Sequence, residues 1–190
     1  MALCPEFLEA LRDGHAVMTA SGIPGEIGGW MHHGTKKGCQ QYLQKDGSKL
    51  NSKGVVDLPY QMEDVLSFMT SPEGRKTTDE LLKRETVVQT LDPRAVEAEL
   101  GGGVQVLNCE IVYVETHRPF PGVSPRDACV IRCTYLHQGG AVVCISGVEH
   151  PEVPVNPKYV RSSVSGGFAV LSKEGGGGCT VVMVQCVQPG

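Results

Sequence analysis

The chain has no run of apolar residues approaching the ~18 that a membrane-spanning helix needs. Its first twenty residues carry Glu6, Glu9, Arg12, Asp13 and His15, so they lack the uninterrupted apolar stretch of a secretory signal. Neither sign of charge is in surplus: 17 Lys plus Arg stand against 21 Asp plus Glu, spread along the whole length, for a formal charge of -4. No basic stripe is offered to nucleic acid, and the pairs Lys36-Lys37 and Arg75-Lys76 are too short to make one. Nucleic acid is therefore not an expected partner.

Catalytic and metal-binding signatures are also missing. There is no Gly-x-Ser-x-Gly elbow and no Gly-x-x-x-x-Gly-Lys phosphate loop, and the glycine clusters connect strands rather than open helices. The eight cysteines include no Cys-x-x-Cys pair. Cys129 and Cys133 share a strand face but lie ~13 Å apart along it, too far to chelate one metal. His32 and His33, adjacent on a strand, point to opposite faces. No metal, cofactor or catalytic residue is expected. The reading is of a non-enzyme with free thiols in a reducing cytoplasm.

What is present suits one domain over residues 1–190, since a chain of this length with 41% hydrophobic content can bury one substantial core. Pro5 to Met18 carries Phe7, Leu8 and Leu11 at helical spacing, with Val17 and Met18 less regular. Glycines between Gly22 and Gly29 end that helix. Strands are predicted at Trp30 to Gly34, Gln40 to Gln44 and Lys53 to Leu58, joined by turns at Lys36-Lys37-Gly38 and Asp46-Gly47. Met62, Val65, Leu66 and Met69 give a short amphipathic helix, and a second is expected over Thr78 to Lys83. Six further strands follow: Glu85 to Leu91, Val104 to Thr116, Ala128 to His137, Ala141 to Val148, Tyr159 to Leu171 and Cys179 to Val187. Ser165-Gly166-Gly167 suggests a bulge or sharp bend. Short glycine turns make the neighbours antiparallel, giving an α+β domain with one sheet of about nine strands. So large a sheet must curl. Val104 to Thr116 is apolar at both even and odd positions, so neither face is wet.

One ordered set of motifs goes further. Arg118 to Asp127 reads Arg-Pro-Phe-Pro-Gly-Val-Ser-Pro-Arg-Asp. A hairpin turning at Gly139-Gly140, the triplet Glu149-His150-Pro151 and then Tyr159-Val160-Arg161 follow it. Upstream, Gly54-Val55-Val56-Asp57-Leu58-Pro59 precedes a helix, and Val87 to Asp92 follows the short helices. In this order, from Trp30 to Gly190, the chain resembles the START family of lipid-binding domains, named for steroidogenic acute regulatory protein-related lipid transfer. The resemblance implies a helix-grip fold, a curved antiparallel sheet gripping a long C-terminal helix, with a tunnel that holds one lipid or sterol. It also implies transfer or sensing of that lipid between membranes, with transient contact with a membrane surface.

The resemblance places Arg132 within the tunnel, where sterol-binding members pair an inward arginine with an acid from the preceding strand. A gap-free count selects Tyr113, between Glu110 and Glu115, and leaves open which of the two carboxylates, if either, is the partner. By alternation from Arg132, Val130 and Thr134 face inward, with Val143 and Ile145 on the partner strand. The family register adds Val164 and Val182. Arg126-Asp127 is read as fixing a loop by ion pairing, and His150 as a hydrogen-bonded strand-end histidine.

Two departures accompany the likeness. The family's tryptophan before the aspartate is replaced by Thr77-Thr78 ahead of Asp79, and the chain stops at Gly190, where members continue into the lid helix. The expectation is a domain without that helix. Its apolar groove would then be completed by a missing end or covered by a second chain, or would stay open as a divergent form. Two other functions remain in view: a module whose groove accepts a partner helix, and a cyclase- or hydrolase-type enzyme on the same fold.

Overall fold

The computed structural model describes residues 5–20, 29–46, 49–101, 103–137 and 139–188. The elements run α1 (Pro5–Ala20), β1 (Met31–Lys36), β2 (Cys39–Asp46), β3 (Lys49–Leu58), α2 (Met62–Thr70), α3 (Pro72–Thr78), β4 (Leu82–Thr90) and α4 (Pro93–Leu100). They continue with β5 (Gln105–Thr116), β6 (Arg126–His137), β7 (Gly140–Gly147), β8 (Val160–Arg161), β9 (Ser163–Ser172) and β10 (Cys179–Gln188). Nine strands form one curved antiparallel sheet in the order β1-β2-β3-β10-β9-β7-β6-β5-β4. The two-residue β8 adds a parallel pairing to β6.

Local sequence explains most of this. Lys37 and Gly38 both have positive φ, as a two-residue hairpin turn requires, and join β1 to β2. The Asp46-Gly47 turn extends outside the described residues. Helix α2 lies as its spacing predicts: Val65 is buried, and Met62, Leu66 and Met69 pack beside it. The second short helix, expected at Thr78 to Lys83, instead spans Pro72–Thr78, because Ser71 caps Gly74 N at 3.0 Å and Pro72 occupies the first turn. Helix α4 has no counterpart among the sequence expectations. Asp92 caps it by accepting from Arg94 N at 3.1 Å, Pro93 starts it, and Gly101 at φ 63 ends it. The expected strand from Tyr159 to Leu171 divides into β8 and β9.

The sheet is covered on both faces. Helix α1 sets Phe7, Ala10 and Met18 against Cys129, Ile131, Cys133 and Tyr135 of β6 and Val142 and Cys144 of β7, and α4 adds Val96 to the same core. On the opposite face α2 packs over Val143, Phe168, Val170 and Val181. These are the α1 face and the α2 face below.

Gly166 and Gly167 do not form a bulge, since β9 keeps an unbroken register with both neighbours through them. They are required by close approach. A Cβ at Gly166 would come within 2.2 Å of the Val184 carbonyl oxygen, and one at Gly167 within 1.9 Å of that of Val143, with φ near +140° at both. Gly167→Ala is expected to destabilise the fold by at least about 2 kcal/mol. A melting temperature lowered by about 6 °C would report this in a chain of this size, and an unchanged melt would refute it.

Candidate functional site

Arg132 projects from β6 on the α2 face, directly opposite Glu110 of β5 in the sheet register. Its Nη2 donates to Glu110 Oε2 at 2.9 Å, and its Nη1 donates to Glu85 of β4. Glu85 also accepts from Arg75 Nη2 of α3 at 3.0 Å. The four side chains form one network, with only 16% of Arg132 exposed. Burial works against the charge on Arg132, but the carboxylates outweigh it and raise the guanidinium's pKa. Burial likewise opposes ionisation of Glu110. Hydrogen bonds from Asn108 and Arg132 and the arginine's charge prevail, holding the carboxyl below its ordinary value.

Glu110 is therefore the partner that the sequence left open. Glu115 faces the other way and pairs with Arg84 and Lys83. Glu85 and Arg75 lay outside the sequence reading, because no local signal reports a meeting of α3, β4 and β6. In the assembled sheet Glu85 lies opposite Val114 and Val87 opposite Val112.

Of the remaining candidates, Val130, Thr134, Val143 and Ile145 share the α2 face with Arg132, as their paired positions require. Val164 shares it by alternation from Phe168. Two lie on the α1 face instead. Tyr113 pairs with Cys129, and its hydroxyl donates to Asp127 Oδ2 at 2.9 Å. Burial and the aspartate push its pKa up to about 12. Val182 pairs with Ala169 in the core beneath α1, while its neighbours Val181 and Met183 take the α2 face. A one-residue offset on a strand exchanges the faces, which accounts for both corrections.

A groove of about 940 Å³ opens on the α2 face over β2, β3 and β10. Val56, Leu58, Val65, Phe68, Val181 and Met183 contribute to its apolar lining. The groove does not reach Arg132, Glu110, Val143 or Ile145. Helix α3 connects the two regions: Thr78 lines the groove, and Arg75, one turn earlier on the same side, belongs to the ion network.

The motif ends have an architectural role. Asp127, 1% exposed, accepts from Arg161 Nε at 2.9 Å, from Arg161 Nη2 at 3.1 Å and from Tyr113. This joins Pro-Arg-Asp to Tyr-Val-Arg where β8 meets β6. Arg126 Nη1 donates to the Ser124 carbonyl. His150 stacks on Phe7 and accepts from Glu152 N through Nδ1, which leaves Nε2 to donate to Gln89 Oε1 at 3.2 Å. Cys109, Cys133 and Cys144 sit side by side across three strands as free thiols. Hydrogen bonding with Cys109 and Cys144, then burial, pushes the Cys133 thiol far up, which disfavours the reactive thiolate. No group of His, Cys, Asp or Glu among the described residues is placed to hold a metal ion.

Glu110 makes the site sensitive to acid. Because its folded-state pKa is depressed, its contribution to stability is present above its ordinary value of 4.5 and is lost as pH falls through the depressed one. Glu110→Gln is expected to lower the urea midpoint at neutral pH, and the gap to wild type should close as pH falls below 4.5. Urea titrations between neutral and strongly acidic pH measure it, and a gap independent of pH would contradict the assignment.

The START domain family model matches residues 21–190. Among solved structures, human StAR-related lipid transfer protein 5 is similar at TM-score 0.75 and 16% identity, covering 96% of this chain and 84% of that one. Human STARD10 is similar at TM-score 0.72 and 16% identity, covering 100% and 69%. A STAR-related lipid transfer protein from Xanthomonas axonopodis gives TM-score 0.66 and 17% identity, covering 86% and 84%. At these identities the likeness is one of fold. No curated protein matches the chain in sequence. With the family model covering nearly the whole length and the helix-grip sheet in place, the chain belongs to the START domain family.

Proposed function

We propose that this domain binds a single lipid against the α2 face and transfers or senses it between membranes. The observation that carries the reading is the apolar groove of about 940 Å³ between α2 and the β2-β3-β10 wall. An acyl chain or sterol ring system entering it leaves water at a gain of roughly 25 cal/mol per Å² of apolar surface. The names of the structural neighbours, lipid transfer proteins, agree with this. Arg132 and Glu110 are assigned to the ligand's polar end. Val130, Thr134, Val143, Ile145 and Val164 lie on the same face beyond the groove and are assigned to a ligand that extends past it, and Val181 and Met183 replace Val182 in the lining. Sterol and phospholipid are the candidate classes.

The process is passive extraction and release during transient contact with a membrane surface, and it needs no chemistry from the protein. Seven free thiols among the described residues favour a reducing compartment, the cytoplasm. The groove's rim keeps Phe68 at 47% and Met183 at 41% exposure, which also suits an apolar helix from a partner.

Met183→Trp, which fills the groove from its exposed rim, is expected to cut lipid extraction from vesicles by about tenfold while the fold persists. Mass spectrometry of lipid retained after incubation with vesicles reads this out. Wild-type protein that retains no lipid, or a variant that extracts as well as wild type, would refute the assignment. A stable complex with a helical partner and no retained lipid would establish the partner reading instead.

A further inference from the structure

A single cross-strand row joins the groove to the ion network. Gln185 of β10 lies opposite Ser52 of β3 on one side and Gly166 of β9 on the other. Gly166 in turn lies opposite Ile145 of β7, and Ile145 opposite Arg132 of β6. Residues directly opposite one another share a face, so Ser52, Gln185, Ile145 and Arg132 all stand on the α2 face. Ser52 and the exposed Gln185 line the groove. The row is therefore polar at Ser52 and Gln185, apolar in its middle, and polar again at Arg132 and Glu110.

The middle of the row carries no polar side chain and little bulk. Gly166 sets nothing between Gln185 and Ile145, and a Cβ there would meet the Val184 carbonyl oxygen at 2.2 Å, so no side chain can occupy the place. Helix α2 packs over Phe168 and Val143 of the adjacent row, two residues along β9 and β7. Three steps between neighbouring strands separate Gln185 from Arg132, about 14 Å in all.

The two polar ends differ in charge. At one, Arg132 and Glu110 are ionised partners. At the other, the Gln185 amide and the Ser52 hydroxyl both donate and accept without charge. The neighbouring Lys53 turns its ammonium elsewhere, over the rings of Trp30 and Tyr42 at 5.6 and 5.3 Å from their centroids. An anion seated at Gln185 would lose water with no counter-charge from this row. A hydroxyl or amide exchanges one neutral hydrogen bond for another.

We infer that Gln185, with Ser52, is a second polar anchor, and that the ligand is a lipid with a polar group at each end of an apolar body about 14 Å long. The group held at Gln185 is an uncharged hydroxyl or amide. The inference rests on the lipid-binding reading above, which sets the ligand's other polar end at Arg132 and Glu110, and narrows it to lipids with two polar ends.

The test measures binding of 1-decanol and 1,10-decanediol by calorimetry, in wild type and in Gln185→Leu. Leucine keeps the bulk at an exposed position and removes both hydrogen-bonding groups. The ratio of diol affinity to alcohol affinity should fall about fivefold in the variant. Comparing that ratio between proteins cancels the diol's greater solubility in water. Ser52→Ala should move it in the same direction, and serves where Gln185→Leu gives no cooperative thermal melt. A ratio unmoved or raised in the folded variants would overturn the inference alone. So would wild type that binds the alcohol but not the diol, or that binds neither probe while retaining lipid from vesicles. Wild type that binds neither probe and retains no lipid would overturn the lipid-binding reading with it.

Discussion

A strand that is apolar on both faces has to be covered twice, and in this chain the two covers are unequal. Strands β6 and β7 press Cys133, Tyr135, Val142 and Cys144 into a closed core beneath α1. Among the described residues the opposite face receives α2 and α3, two short helices over a sheet nine strands wide. One side is filled by a cluster of fully buried side chains. The other retains an apolar groove and a balanced cluster of charges. The ligand-binding reading follows from that asymmetry, since a cavity exists only where the second layer is too small to fill the space above the sheet.

The charges answer the same constraint. Arg132 stands mid-strand in an apolar environment, where an unpaired guanidinium would be very costly, so it is met from two sides by Glu110 and Glu85. Glu85 then draws in Arg75, which ties α3 to the sheet. Polar pairing thus fastens a part of the second layer where apolar packing is thin. On the other face Asp127 does comparable work, gathering Arg161 and Tyr113 where the loop after β5 and the crossing before β9 converge.

Much of this was legible in the sequence because it is local. Strand positions, the Lys37-Gly38 turn, the face of α2 and the Asp127 to Arg161 motifs are written in spacing and in residue type. Even α4 carried a readable sign in Asp92-Pro93 followed by Gly101. The losses came where one residue of register or one distant contact decides. Val182 and Tyr113 were each placed one step from the residues that face α2, and a period of two turns such a step into the wrong face. Arg75 and Glu85 are ten residues apart, on a helix and a strand whose relative placement no local pattern specifies. Their meeting with Arg132 is a property of the assembled sheet.

The strand order also governs how this domain can come together. Strands β1 to β3 join the rest of the sheet only through β10, with Leu58 opposite Cys179. Loop-closure entropy across so long an intervening segment must be met before that pairing returns any contact energy. The wall of the groove includes both β3 and β10, so it cannot exist in any partly folded species in which these two strands have not paired. The groove is thereby tied to the long-range pairing of β10 with β3, whereas β4 to β7 each pair with a strand next to them in the sequence.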